Sequence, residues 1–141
     1  RDDPKLNVKR EKINPFEAIE LIKKSGGSAV LAHPFLIDEV VIYPDGKNLT
    51  RFEYIESLID HGLDGIEVNY PYSKTSYKGS TADSEIAAQV KETYHGKVKF
   101  FTGGSDYHAE EEKGMINARY IGEGGISYKE FEKIRKYLIR E

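Results

Sequence analysis

Gly27-Ser28-Ala29-Val30-Leu31-Ala32-His33-Pro34 is the stretch on which the fold turns. Its apolar centre is too short for a helix, and it is bounded by glycines on one side and by His-Pro on the other. It reads as a strand over 28–32, apolar on both sides as a strand must be when helices cover both faces of a parallel sheet. The strand ends at a histidine. Upstream, Asn14-Pro15-Phe16-Glu17 has the order of a helix start: an Asn cap, Pro in the first turn, and Glu three residues on that can reach back to the cap. That helix runs to Ser25, where Gly26-Gly27 stops it.

Downstream the same alternation repeats. Thr50-Arg51-Phe52-Glu53 is a capping box, followed at helical spacing by Phe52, Ile55, Leu58 and Ile59 until His61-Gly62 closes the segment. After a turn at Asp64-Gly65, Ile66-Glu67-Val68-Asn69-Tyr70 alternates apolar and polar residues, as a strand does. Thr81 is placed to cap a third helix whose Ile86, Ala87, Val90 and Tyr94 share a face, with His95-Gly96 as its stop. Residues 98–102 are rich in β-branched and aromatic side chains and predict a third strand, running into Gly103-Gly104-Ser105-Asp106-Tyr107-His108. Ser127-Tyr128-Lys129-Glu130 is a further capping box, before Phe131, Ile134 and Leu138 on one face of a closing helix. Strands separated by single helices pair in parallel through right-handed crossovers, so the fold class is α/β, with about three parallel strands alternating with four helices. The connections 35–49 and 70–80 are long for such units, and both follow the C-terminal end of a strand, where α/β folds bind their ligands.

Composition narrows the chemistry. The 141 residues suit one domain, and no repeat or linker divides them. A formal net charge of −3 offers no basic field for duplex DNA. Cysteine is absent, which excludes disulfides, thiolate nucleophiles and Cys-ligated zinc, so any metal site must use His and carboxylates. The apolar runs 29–32 and 40–43 are far too short to span a membrane, and no signal peptide opens the chain, so a soluble protein is expected. The chain opens on Arg1 and its one methionine is Met115, so further sequence is expected upstream.

The polar residues gather at strand ends. His33 lies just beyond the first strand, and Asp106 and His108 just beyond the third; in a parallel sheet these ends share one edge. His and Asp are ordinary ligands for Zn, Mn or Fe, and spacing by two puts Asp106 and His108 on one side of an extended chain. The plainer alternatives stand beside this: His33 before a proline can simply hydrogen-bond at a strand end, and Ser105-Asp106 can be a turn. His61 and His95, each before a glycine, read as helix C-caps. Glu67 and Asn69 face away from Ile66 and Val68, and Glu67 needs either a metal-centre neighbour or an internal ion pair. Tyr70, Tyr72, Ser73, Lys74, Tyr77 and Lys78 bring aromatic faces and positive charge suited to a nucleotide or phosphate, or form a surface connection.

Taken together, the Ala-His-Pro stretch, Gly62-Leu63-Asp64-Gly65-Ile66-Glu67-Val68 and Gly104-Ser105-Asp106-Tyr107-His108 resemble the second half of a PHP (polymerase and histidinol phosphatase) metal-dependent phosphoesterase. The likeness is narrower to the bacterial branch that contains nucleotide phosphatases and short-RNA exonucleases, and it covers the chain from Asn14 to the last helix. It implies that residues 1–141 are the C-terminal portion of a distorted (β/α)7 barrel carrying up to three divalent ions (Mn, Zn or Fe) at the strand ends. His33, Asp106 and His108 are then metal ligands, with Asp106 and His108 catalytic and serving different ions. Glu67 supports them from behind, and Lys74 and Tyr72 contact substrate. The implied activity, in an intact cytoplasmic parent, is hydrolysis of a phosphate ester in a phosphorylated small molecule, a nucleotide or a short RNA, with no duplex DNA or membrane as partner. The family's earlier ligands, beginning with His-x-His, have no counterpart before His33. The isolated chain is therefore expected to bind metal weakly, to be inactive, and to self-associate through an open barrel edge. The alternative is a non-catalytic regulatory or binding module that keeps the fold and some of the ligands.

Overall fold

A computed structural model describes residues 12–43, 46–109, 114 and 116–138; Met115 lies outside the described residues. The elements are α1 (Pro15–Lys24), β1 (Val30–Leu31), β2 (Val40–Ile42), β3 (Asn48–Thr50), α2 (Arg51–Asp60), β4 (Gly65–Asn69), α3 (Asp83–Tyr94), β5 (Phe100–Gly103) and α4 (Tyr128–Leu138). Single turns of 3-10 helix occupy Pro34–Leu36 and Tyr72–Lys74. β1, β4 and β5 form one parallel sheet with β4 in the centre. Val30 lies beside Gly65 and Leu31 beside Ile66; across the other side Gly65, Ile66 and Glu67 face Phe100, Phe101 and Thr102, and an irregularity between Glu67 and Asn69 shifts the pairing to Asn69 and Gly103. The expected α/β architecture of four helices and three parallel strands is present.

Local chemistry sets most of the boundaries. Asn14 Oδ1 accepts from the Phe16 amide, with Pro15 in the first turn of α1. At α2, Thr50 Oγ1 accepts from the Glu53 amide at 3.2 Å while Glu53 accepts from the Thr50 amide at 2.8 Å. The same reciprocal pair joins Ser127 and Glu130 at the start of α4. The alternation in β4 buries Ile66 and Val68 and leaves Glu67 and Asn69 partly exposed. Ile66 and Val68 meet Ile55 and Leu58 of α2, Ile86, Val90 and Tyr94 of α3, and Ile19 of α1 in one core. Each such apolar side chain contributes roughly 1.5–3 kcal/mol when fully buried. Gly65 is required by the central pairing, because a Cβ there would lie 2.6 Å from the Phe100 ring and 3.0 Å from its carbonyl oxygen.

Three expectations are corrected. The long connection 35–49 holds strands that the sequence reading did not place: β2 and β3 pair there as an antiparallel ribbon, Val40 with Thr50 and Ile42 with Asn48. Val40 and Ile42 point outward and are well exposed, so the apolar alternation that marks a strand on a core is inverted here. The strand expected over 28–32 contracts to Val30–Leu31, both half-buried, because the Ala29 carbonyl accepts from the Asp64 and Gly65 amides instead of continuing a ladder. α3 begins after Ala82 rather than at Thr81; the Ala82 amide donates to Glu85, and Asp83 at the first position accepts from the Ser73 amide and hydroxyl, tying the preceding loop to the helix. Among the described residues no helix is long and apolar enough to cross a membrane.

Asp64 holds the opposite end of the sheet. It is 3 % exposed and accepts from the Ala29 amide at 3.0 Å, Lys99 Nζ at 2.6 Å and Lys23 Nζ at 3.2 Å. Burial acts to raise its pKa, but the bonds from Lys99, Ala29 and Lys23 outweigh burial and hold the carboxyl below its ordinary value. A lowered acid pKa in the folded state adds stability above the unfolded pKa of about 4, and this is lost as pH falls through the folded value. Asp64→Ala should cost about 2–3 kcal/mol in urea unfolding at pH 7, because one buried amide loses its acceptor while both lysines can turn to water. Asp64→Asn should flatten the loss of stability below pH 4; an unchanged acid limb would exclude Asp64 as its source.

Candidate functional site

All three parallel strands point their C-terminal ends to one edge, and the chain leaves that edge in unusual backbone. His33, two residues after β1, has φ 32 and ψ 61; Asp106 and Ala109, beyond β5, have φ 50 and φ 54. Left-handed geometry costs a non-glycine residue about 1 kcal/mol, and among the described residues these are the non-glycine positions that adopt it. Strain kept at three positions on one edge marks that edge as a place where side-chain direction matters more than local stability.

Glu67 underlies the edge from the central strand. Its Oε2 accepts from the His33 amide at 2.7 Å, so the carboxylate fixes the turn that carries the imidazole. Gly104 leaves room for it: a Cβ there would sit 3.0 Å from Glu67 Oε1. Burial is the main reason that the Glu67 pKa is raised; the His33 amide and charge oppose this, and Asp106 adds to it. Tyr70, just past β4, links the remaining parts. Its ring centroid is 5.2 Å from that of His33, and its hydroxyl donates to Asp106 Oδ2 at 3.2 Å. Arg119 Nη1 donates to the same Oδ2 at 2.8 Å and to the Tyr70 oxygen at 3.0 Å. Burial first, then Asp106, push the Tyr70 hydroxyl up to about 12, against the pull of Arg119, so it stays a donor at neutral pH. His108 Nδ1 lies 2.6 Å from the Asp106 carbonyl oxygen and 3.6 Å from its Oδ1. A carbonyl only accepts, so Nδ1 carries a hydrogen.

His33, Glu67, Asp106 and His108 thus all reach the edge to which the sequence assigns them. Of the two residues assigned to substrate, Tyr72 is 1 % exposed in the core, where its hydroxyl accepts from the Phe35 amide. Lys74 Nζ pairs with Glu123 Oε1 at 2.6 Å and donates to the Ala118 carbonyl at 3.1 Å. His61 caps α2 as expected, its Nδ1 3.1 Å from the Ser57 carbonyl. Arg119 was missed. It stands thirteen positions after Asp106 in no motif, and nothing local in the sequence pairs the two.

The donor types suit a hard or borderline divalent ion, with imidazole nitrogen and carboxylate oxygen and no thiolate. Their arrangement does not fit one. Among the described residues no three His, Asp or Glu side chains come close enough to hold an ion, and Asp106 is already neutralised by a guanidinium.

Comparison with known proteins bears on the chemistry. No family model matches the chain, and no solved structure matches it. Over 98 residues it is 32 % identical to a phosphoribosyl 1,2-cyclic phosphate 1,2-diphosphodiesterase of Eggerthella lenta. That relative is a phosphodiesterase. The match takes in 70 % of this chain but 29 % of the relative, so the chain spans less than a third of that protein's length.

Glu67 offers a direct test of how the edge is built. Glu67→Gln keeps an oxygen acceptor for the His33 amide and removes a charge that burial disfavours, so it should melt at or above the unaltered chain at pH 7. Glu67→Ala leaves that amide without its acceptor and should be about 1–3 kcal/mol less stable. Equal melting of the two variants would remove Glu67 from the support of His33.

Proposed function

We propose that this chain contributes the last ligands of a metal-dependent phosphoesterase of the PHP type, within a parent protein that supplies the others. The observation that carries the reading is the gathering of His33, Glu67, Asp106 and His108 at one strand edge, joined through Tyr70. The phosphodiesterase relative supports the reaction class. In the parent the strands continue a distorted (β/α)7 barrel. His33, Asp106 and His108 would be only part of the ligand set for divalent ions of the Mn, Zn or Fe type, and the parent would have to complete it. Glu67 acts through the His33 amide. Tyr70 keeps its proton and orients Asp106. A nucleotide, a phosphorylated small molecule or a short RNA end is the substrate class; a cavity of about 580 Å³ nearby offers the rings of Phe35 and Tyr77, with Arg51 and Lys78 balanced by Asp38 and Glu39.

A second reading, a non-catalytic module on the same fold, is favoured by two observations: Asp106 is ion-paired to Arg119, and no three-ligand cluster forms among the described residues. Substitution in the parent protein separates the two. Asp106→Ala should lower hydrolysis of a phosphodiester such as bis(p-nitrophenyl) phosphate by about 100-fold or more at saturating Mn²⁺, with an unchanged circular dichroism spectrum. Full turnover by that variant would reject Asp106 as a ligand, and no turnover by the unaltered parent on any phosphate ester would favour the module.

A further inference from the structure

The last helix is amphipathic but loosely seated. α4 carries Phe131, Ile134 and Leu138 on one face, and none of its residues is buried, although such a stripe is ordinarily packed. Beneath it lies a cavity of about 390 Å³, bounded by α3, α4 and the β4–β5 pair. That volume falls within the roughly 300–1,000 Å³ usual for small-molecule sites. Phe100, Phe101 and Thr102 all line it; successive residues of a strand point to opposite faces, so the cavity runs along the outer edge of β5. His33, Glu67, Asp106 and His108 take no part in it.

Floor and rim differ in kind. Val68 and Phe100, both buried, form the floor, with Ile126, Ile134 and Tyr137 across from them and the Tyr137 ring stacked on Phe100. The charged lining is Lys91, Lys99, Lys133 and Lys136 against Glu130. Glu130 pairs with Lys91 at 3.8 Å and the buried Asp64 with Lys99 at 2.6 Å, which leaves Lys133 and Lys136 over, the latter with Nζ 4.9 Å from the centre of the Tyr137 ring. In a chain of formal net charge −3 this rim is a local reversal of sign.

We infer that the cavity under α4 binds a small amphipathic anion, an apolar body carrying one acidic group. The apolar body fills the space between Ile134 and Phe100 that α4 leaves unpacked. The acidic group meets Lys133 and Lys136, whose flexible stems let the ammonium groups follow it. A neutral apolar molecule leaves those lysines unanswered, and a small hydrophilic anion leaves the floor uncovered, so the ligand needs both parts. Bound there, it touches α4 on one side and the sheet on the other. A ligand that binds only the docked helix stabilises docking.

Decanoate is the probe, titrated by calorimetry into the 141-residue chain and into the parent protein. A single saturable site is expected in both, with 1-decanol weaker by about tenfold or more, the loss that follows from removing charge-assisted contacts. Lys133→Gln combined with Lys136→Gln changes two exposed side chains and should weaken decanoate by a similar factor at an unchanged melting temperature. Ile134→Trp fills the cavity and should abolish binding; if that variant lacks a cooperative melt, the lysine pair decides alone. In hydrogen exchange, decanoate should slow the α4 amides severalfold and leave β2 and β3 unchanged. Equal affinity for decanoate and 1-decanol, or full affinity in the double lysine variant, overturns the proposal. So does protection on the exposed β2–β3 ribbon in place of α4, failure to saturate, or binding by the 141-residue chain that the parent lacks, since the parent then fills the cavity itself.

Discussion

The buried Asp64 carboxylate is the constraint from which the rest follows. It sits where β4 begins and joins the amide before β1, the lysine before β5 and a lysine from the end of α1. Its carbonyl also accepts from the Lys99 amide at 2.9 Å, so side chain and backbone of one residue hold the starts of all three strands. A side chain removed from water is stable as an anion only when such donors surround it. Since the strands start together, their register is fixed along their length: Leu31, two residues before His33, lies beside Ile66, and Glu67 lies beside Thr102, four residues before Asp106, which brings the three side chains within reach of one edge. The register of the site is set at the end of the sheet that does no chemistry.

The two edges handle negative charge in opposite ways. Asp64 is compensated in full and kept ionised. Glu67 is half-buried with one amide donor and its pKa rises; Asp106 has a permanent cation beside it. The polar edge therefore carries carboxylates whose compensation is partial or borrowed, and such groups respond strongly when a new cation arrives.

Features written in short-range chemistry were legible in the sequence. The Thr50-Glu53 and Ser127-Glu130 boxes are contacts between residues three apart, and the alternation in β4 follows from a two-residue period on a buried face; each can be read from one window. The strand-end placement of His33, Asp106 and His108 followed from those elements. What escaped reading depends on partners distant along the chain. The ribbon of β2 and β3 turns its valine and isoleucine to solvent, so burial leaves no trace in its pattern. Tyr72 resembles an exposed loop aromatic until the 3-10 turn carries it under Phe35. Arg119 meets Asp106 across thirteen positions, and Lys74, from the turn after β4, bonds to residues on either side of it.

The attachment of α4 has a consequence for how the molecule opens. None of its residues is buried; beyond its cap, it is held by Ser28 Oγ donating to the Tyr137 carbonyl at 2.5 Å, by the Phe100 and Tyr137 rings stacked 5.4 Å apart, and by an exposed Lys91–Glu130 pair. Local opening costs little where little apolar surface is covered. The last helix is therefore a separate cooperative unit whose amides exchange with solvent hydrogen well before those of β4 and α3. The contacts of Asp106 run through Tyr70 and Arg119, and Lys74 bonds to Ala118 and Glu123 on either side of Arg119, none of them on α4, so this unit can open while the polar edge keeps its shape.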